Sequence, residues 1–191
     1  RRVHIQAEAQ TPLMQFAYHG LTGADPRRPT LELLMRILTD GDASRLHRAL
    51  VEERKVAISV DAYAEGGFDP SLVWFFVSLP AGGDVQQAEA AFNAEIERLA
   101  SQGVEQEELS SARSQALADF WRELATINGK AHALGDYQVL RGGYKRLFAA
   151  PEAYESVTTA DVKKLAKEIL RPTNRTVGVL NAAARASEEQ S

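Results

Sequence analysis

Four histidines, His4, His19, His47 and His132, are the first residues to test for chemistry. None has a second His three or four residues away. The pair of imidazoles on one helical face that grips a metal is therefore missing, in both the H-E-x-x-H and the H-x-x-E-H orders. His47 stands near Glu52 and Glu53. On a helix, however, a step of five residues turns about 140° away. Each His reads as a surface or boundary residue. Ser44 carries a nucleophile's atom but has no G-x-S-x-G elbow and no neighbouring base. Helix capping by Ser44 or Asp42 is the better reading. Glu52-Glu53 reads as a solvated pair on an exposed turn. Gly66-Gly67 and Gly82-Gly83 lack a phosphate-loop pattern, and Asn174-Arg175-Thr176 is no more than a formal glycosylation tripeptide. The chain has no cysteine, which excludes disulfides and thiolate metal sites. No catalytic or metal-binding residue is expected within it.

Composition narrows the class. The 191 residues are 45% hydrophobic and 25% charged, enough for a core of ordinary size. A net charge of −4 argues against a nucleic-acid partner, whose phosphates demand neutralisation. No run approaches the roughly 20 apolar residues of a membrane span. The start at Arg1-Arg2-Val3, without Met or an apolar signal core, reads as a processed protein or a piece of a longer one.

The pattern predicts the scaffold. Alternation marks strands over residues 3–9 and 13–19. A loop with two Pro and two Gly covers residues 20–29. Thr30 is placed to cap a helix carrying Leu31, Leu34, Ile37 and Leu38, which ends at Asp40-Gly41. A second helix is expected over residues 43–54, with Leu46, Ala49 and Leu50 inward. A strand over 56–63, with Val56, Ile58, Val60 and Ala62 on one side, turns through 66–70 into a near-continuous apolar strand, 72–79. That strand is expected to be central in its sheet, and the two should form a hairpin. Helices follow over 85–100, 105–126 and 129–140. Residues 144–154 read as a short helix or irregular connection interrupted by Pro151. Thr158 and Asp161 then open a helix in capping-box fashion. Arg171-Pro172 ends it, and 175–180 is the last strand. Strands segregated from helices imply an α+β layered domain. Residues 1–181 read as one domain and 182–191 as a fraying tail.

The stretch Gly41, Ser44, Arg45, Leu46, with the helix and strand after it, resembles the pitrilysin/insulinase family of zinc metallopeptidases. Gly103-Val104 with Glu107-Glu108-Leu109 and Ala112-Arg113 is similar to that family's entry into its long helix. Residues 158–162 and 170–176 resemble its closing helix and strand. The matches run in the family's order over nearly the whole chain. The resemblance implies a layered domain with a mainly antiparallel sheet covered by helices. It also implies a pairing, in which a zinc-bearing domain and a homologous non-catalytic domain enclose extended peptide. The zinc would lower the pKa of its water and polarise the scissile carbonyl, with a Glu as base. This chain resembles the C-terminal, non-catalytic partner. It is expected to be inactive alone and to bind no zinc itself, with the H-x-x-E-H domain before Arg1 or on another subunit.

Aligned on Ser44-Arg45-Leu46, the family's substrate-facing Arg and Tyr fall at Val51 and Ile58. Neither can donate to a carbonyl or an oxyanion. Arg54 and Tyr63 are close by, but at the wrong offset. No catalytic role is carried to any of the four. The resemblance thus implies part of a zinc metalloendopeptidase that closes the chamber and helps hold peptide. The alternative is a structural or assembly subunit, or an inactive paralogue. A freestanding hydrolase using Ser44 is a third reading, which loss of an activity in Ser44→Ala would revive. Implied partners are a homologous zinc-bearing domain or subunit, a peptide and a homo- or heterodimer mate. For a bacterial member the implied location is the periplasm or cell envelope.

Overall fold

Residues 1–8 and 11–183 are described by a computed structural model. Strands β1 (Arg2–Glu8) and β2 (Leu13–His19) lead into helix α1 (Arg28–Thr39). Helix α2 (Arg45–His47) runs directly into a π-helical turn, Arg48–Glu53. The hairpin β3 (Ser59–Ala64) and β4 (Leu72–Ser78) follows. Six helices come next: α3 (Val85–Gln102), α4 (Gln106–Leu124), α5 (Ile127–Val139), α6 (Lys145–Phe148), α7 (Ala150–Ser156) and α8 (Thr159–Ile169). Strand β5 (Arg175–Ala183) completes a sheet ordered β1-β5-β2-β4-β3. Only the β1–β5 pairing is parallel.

Period-two alternation sorts β2 and β4 into a covered and an open face, whereas residues 2–6 of β1 are exposed throughout. Met14, Phe16 and Tyr18 of β2 and Val73, Phe75 and Val77 of β4 are buried under the helices. Phe92 of α3 stacks on Phe16 at 4.0 Å and meets Phe75 edge-on at 5.3 Å, an arrangement that locks helix and sheet together. Helix α1 is buried on nearly every side, through Leu31, Leu33, Leu34, Met35, Ile37 and Leu38. A helix apolar around most of its circumference belongs inside the layers. Its remaining stripe is Arg28, Glu32, Arg36 and Asp40, four residues apart each time.

Several expectations need correction. Helix α1 starts two residues before Thr30, which lies buried inside it; Pro29 sits in the first turn, where its missing N–H costs nothing. Ser44 does hold the N-cap position, yet its Oγ is buried without a hydrogen-bond partner. Strand β3 starts at Ser59, and Ile58 is 56% exposed rather than facing inward with Val60. A corner at Lys55 (φ 52°) resets the register, with Val56 N and Ala57 N both donating to Leu50 O. Strand β4 is interior, but the middle place is taken by β2. Its unbroken apolarity reflects an open face carrying half-buried Leu72, Trp74 and Phe76. Pro151 opens α7 rather than interrupting a helix. Strand β5 continues through Ala182 and Ala183, paired with β1. Residue 9 and the rest of the expected tail, 184–191, lie outside the described residues.

The apolar stripe of α4 also outlasts its cover. Leu109, Ala112 and Ala116 are buried, whereas Trp121 is 58% exposed. At 1.5 Å per residue α4 is roughly 28 Å long and α1 roughly 18 Å, so α4 extends beyond its partner. The predicted capping box stands: Asp161 N donates to Thr158 Oγ1 (3.2 Å) and Thr158 N to Asp161 Oδ2 (2.9 Å).

Candidate functional site

The two family-aligned positions land apart. Val51, in the π-helical turn, is half-buried and packs against the core. Ile58 stands in solvent before β3. Arg54 is exposed at the corner, and Tyr63, 58% exposed, lies further along β3. The histidines are dispersed over β1, the end of β2, α2 and α5. His47 comes within 3.8 Å of Asp42, its nearest carboxylate. No group of three or more His, Asp or Glu among the described residues could hold a metal, so the donor set does not fit a zinc ion. Ser44 is sealed from substrate and has no base at its Oγ.

Arg45, next to Ser44, forms a buried ionic cluster. Its Nε and Nη2 grip both oxygens of Glu108 at 2.7 Å each, and Nη1 lies 3.6 Å from Glu95. Glu95 also pairs with Arg98 at 3.1 Å. The fork ties α2 to α3 and α4, with the planar geometry that favours Arg over Lys. Hydrogen bonding to Glu108 raises the Arg45 pKa. Burial pushes the Glu95 carboxyl up, against the pull of Arg98 and Arg45. Burial also opposes ionisation of Glu108, but the Arg45 fork and the N–H of Glu105 outweigh it and hold that carboxyl below its usual value.

A second cluster faces open space. Beside β3, whose outer edge has no strand partner among the described residues, lies a cavity of about 600 Å³. It is lined by Asp61, Ala62, Tyr63 and Ala64 of β3, by the charged stripe of α1, and by Asp119 of α4. A neighbouring space of about 470 Å³ continues toward α5, past Phe120, His132 and Tyr137. Arg28 Nη2 donates to Ala64 O at 2.7 Å and Nη1 donates to Glu65 O, which anchors the end of β3 to α1. Glu32 accepts from Arg28 (3.2 Å), from Arg141 (3.0 Å) and from the Tyr154 hydroxyl. Arg141 also pairs with Asp136 at 2.6 Å and lies 5.0 Å above the Tyr137 ring. Arg36 bridges Asp40 (2.5 Å) and Asp119 (2.8 Å).

Burial and the adjoining Glu32 charge push the Tyr154 hydroxyl far above the usual phenol range. It stays protonated as a donor to Glu32. Nothing in this groove pairs a nucleophile with a base. What it offers is an unpaired strand edge and an alternating set of charges, the equipment for holding a main chain. The groove was not anticipated from the sequence, although Arg28, Glu32, Arg36 and Asp40 signal it. An i, i+4 charge ladder on an otherwise apolar helix marks the one face that meets water.

The family model described as the peptidase M16 inactive domain matches residues 1–116. No curated protein matches at a significant level. Among solved structures, a candidate zinc protease from Bordetella pertussis Tohama I is 31% identical, with a TM-score of 0.80 over 88% of this chain and 93% of that one. The inactive peptidase domain of a candidate zinc protease from Bordetella parapertussis is 30% identical, with a TM-score of 0.81 over 92% and 94%. A protease from Helicobacter pylori shares the fold at 19% identity and a TM-score of 0.88; the match covers 95% of this chain but 44% of that one. Among the described residues no helix is long and apolar enough to cross a membrane. With this layered α+β fold and these relatives, the chain belongs to the peptidase M16 family, the pitrilysin/insulinase-type metallopeptidases, as its inactive domain.

Proposed function

We propose that this chain is the non-catalytic C-terminal domain of a zinc-dependent metalloendopeptidase. It closes the chamber and holds extended peptide, while the zinc is held by a homologous domain or subunit. The observation that carries this reading is the groove along the free edge of β3. An edge strand offers unpaired N–H and C=O groups, and an extended peptide satisfies them by adding a strand. The charges of Arg36, Asp119 and Asp61 beside that edge would select side chains. For a bacterial member, the family resemblance implies work in the periplasm or cell envelope.

Hydrogen exchange at Ser59–Ala64, with and without an extended peptide, tests the reading. Slower exchange with the plain peptide is expected, and none with a peptide whose alternate amides are N-methylated. Equal protection by both would sink strand addition. Stoichiometric zinc in the purified chain, with peptide cleavage lost on chelation, would overturn the non-catalytic assignment.

A second reading, a structural or assembly role, draws on Val51 and Ile58, which cannot donate to substrate. It predicts that the full assembly shows no chelator-sensitive peptidase activity.

A further inference from the structure

The wall formed by Arg28, Arg141 and Tyr154 has another side. Between the start of α1 and α7 lies a cavity of about 230 Å³. At about 30 Å³ per water in the liquid, it has room for roughly seven or eight waters. That is below the span of a drug-sized molecule and suits one residue-sized group. Pro29, Ala150, Ala153 and Tyr137 supply apolar walls, and the guanidiniums of Arg28, Arg141 and Arg146 also reach it. The side of the cavity built by α5, α6 and α7 lies beyond the residues matched by the family model, 1–116.

The three guanidiniums are not equally neutralised. Arg28 and Arg141 share Glu32, and Arg141 has Asp136 as well. Arg146 donates from Nη1 to two backbone carbonyls, Ala24 O (2.8 Å) and Arg141 O (3.1 Å), and no carboxylate among the described residues pairs with it. Asp25, also on the lining, is engaged by Arg27 at 2.9 Å. Carbonyl dipoles pin the solvent-exposed Arg146 head in place but give it no carboxylate partner among the described residues. A pinned cation beside a small apolar hollow matches a carboxylate attached to an apolar group.

We propose that this cavity binds a residue-sized apolar carboxylate, with Arg146 as its anion partner. The C-terminal residue of a peptide and a free apolar acid share that chemistry. The proposal is independent of strand addition at β3.

The test titrates the isotope-labelled chain with N-acetylphenylalanine, with its amide, and with a free-acid tripeptide ending in phenylalanine. Amide shifts at Ala150 and Ala153 are followed by NMR. The acid is expected to bind about tenfold more tightly than the amide, the scale of one charge-assisted hydrogen bond. Arg146→Gln should lose about the same factor, and Arg146→Lys should keep part of it. Ala153→Leu, which fills the hollow and leaves Arg146 in place, should abolish the shifts while the unfolding midpoint is retained. A tripeptide that binds more tightly than the single residue identifies a peptide terminus; the reverse identifies a free acid. Equal affinity for acid and amide, binding untouched by Ala153→Leu, or no shift at about 10 mM acid, a concentration at which even a millimolar site would be mostly filled, overturns the proposal.

Discussion

Two arginine–glutamate clusters of similar composition lie near α1, and they do different work. Around Arg45 the inner pair is buried, with Arg45 at 9% and Glu95 at 6% side-chain exposure, while Glu108 keeps 30% and Arg98 48% at a cavity of about 500 Å³. Around Glu32 the partners border cavities, and Arg141 and Glu32 keep 27% and 21% exposure. In the first, the Arg45 guanidinium joins α2 to α3 and α4, and Arg98 adds a pair within α3. In the second, the charges fix one end of β3 and still face a groove on one side and a hollow on the other. Residue type does not separate an ionic clamp from a binding surface. What separates them is what the charges hold: three helices around Arg45, and the end of strand β3 around Glu32.

The largest expected effect breaks the Arg45 cluster. Arg45→Ala leaves Glu95 and Glu108 without their shared partner and should cost about 3–5 kcal/mol in urea unfolding. A loss below about 1 kcal/mol, typical of exposed pairs, would erase the distinction between the clusters.

The same cluster should give a signature in pH. Glu108 is held below its ordinary value, so its contribution is present above pH 4.5 and lost as pH falls through the lowered folded pKa. Glu95 is raised, so its contribution is present below pH 4.5 and lost as pH rises through the raised folded pKa. Glu108→Gln should therefore be most damaging near neutrality and converge on the parent in acid. Glu95→Gln should flatten the loss that the parent shows on going upward from pH 4.5. Urea midpoints between pH 3 and 7, a range set about the ordinary carboxylate values, distinguish the two.

Glu32→Gln should cost less than Arg45→Ala, about 1–3 kcal/mol, because cavity water replaces part of what is lost. It should also loosen Arg28 from the end of β3, read as faster hydrogen exchange at Ala64 and Glu65. Unchanged exchange there would detach the cluster from the groove. The smallest effect serves as a control remote from both clusters: Thr158→Ala removes the α8 cap and should cost about 1 kcal/mol without altering either the pH profile or peptide protection.

Much of the scaffold was legible because it depends on local rules. The boundaries of β2, the inward face of α3 from Ala88 to Leu99, and the Thr158–Asp161 box follow from period and capping chemistry alone. The errors fall where tertiary packing overrode local preference. Thr30 is a good cap by type, but the loop delivers the chain to α1 two residues earlier. Ile58 has the right spacing to share a face with Val60, but the corner at Lys55 shifts it into solvent. Asn174, part of a merely formal glycosylation tripeptide, has a tertiary role that spacing does not show: its Nδ2 donates to His19 O and Ile169 O at 2.9 Å each, which ties α8 to the end of β2.

The sequence by itself determined the α+β class, the family and the lack of a local metal-ligand pair, since these rest on order, spacing and residue type. Only the tertiary structure decided which charges meet and which of them border the free edge of β3. Arg28 and Tyr154 meet through Glu32 across more than a hundred residues of chain, and no periodicity encodes that meeting. Cavities arise where layers of unequal length fail to cover one another, as α4 does beyond α1, and that mismatch exists only once the helices are packed.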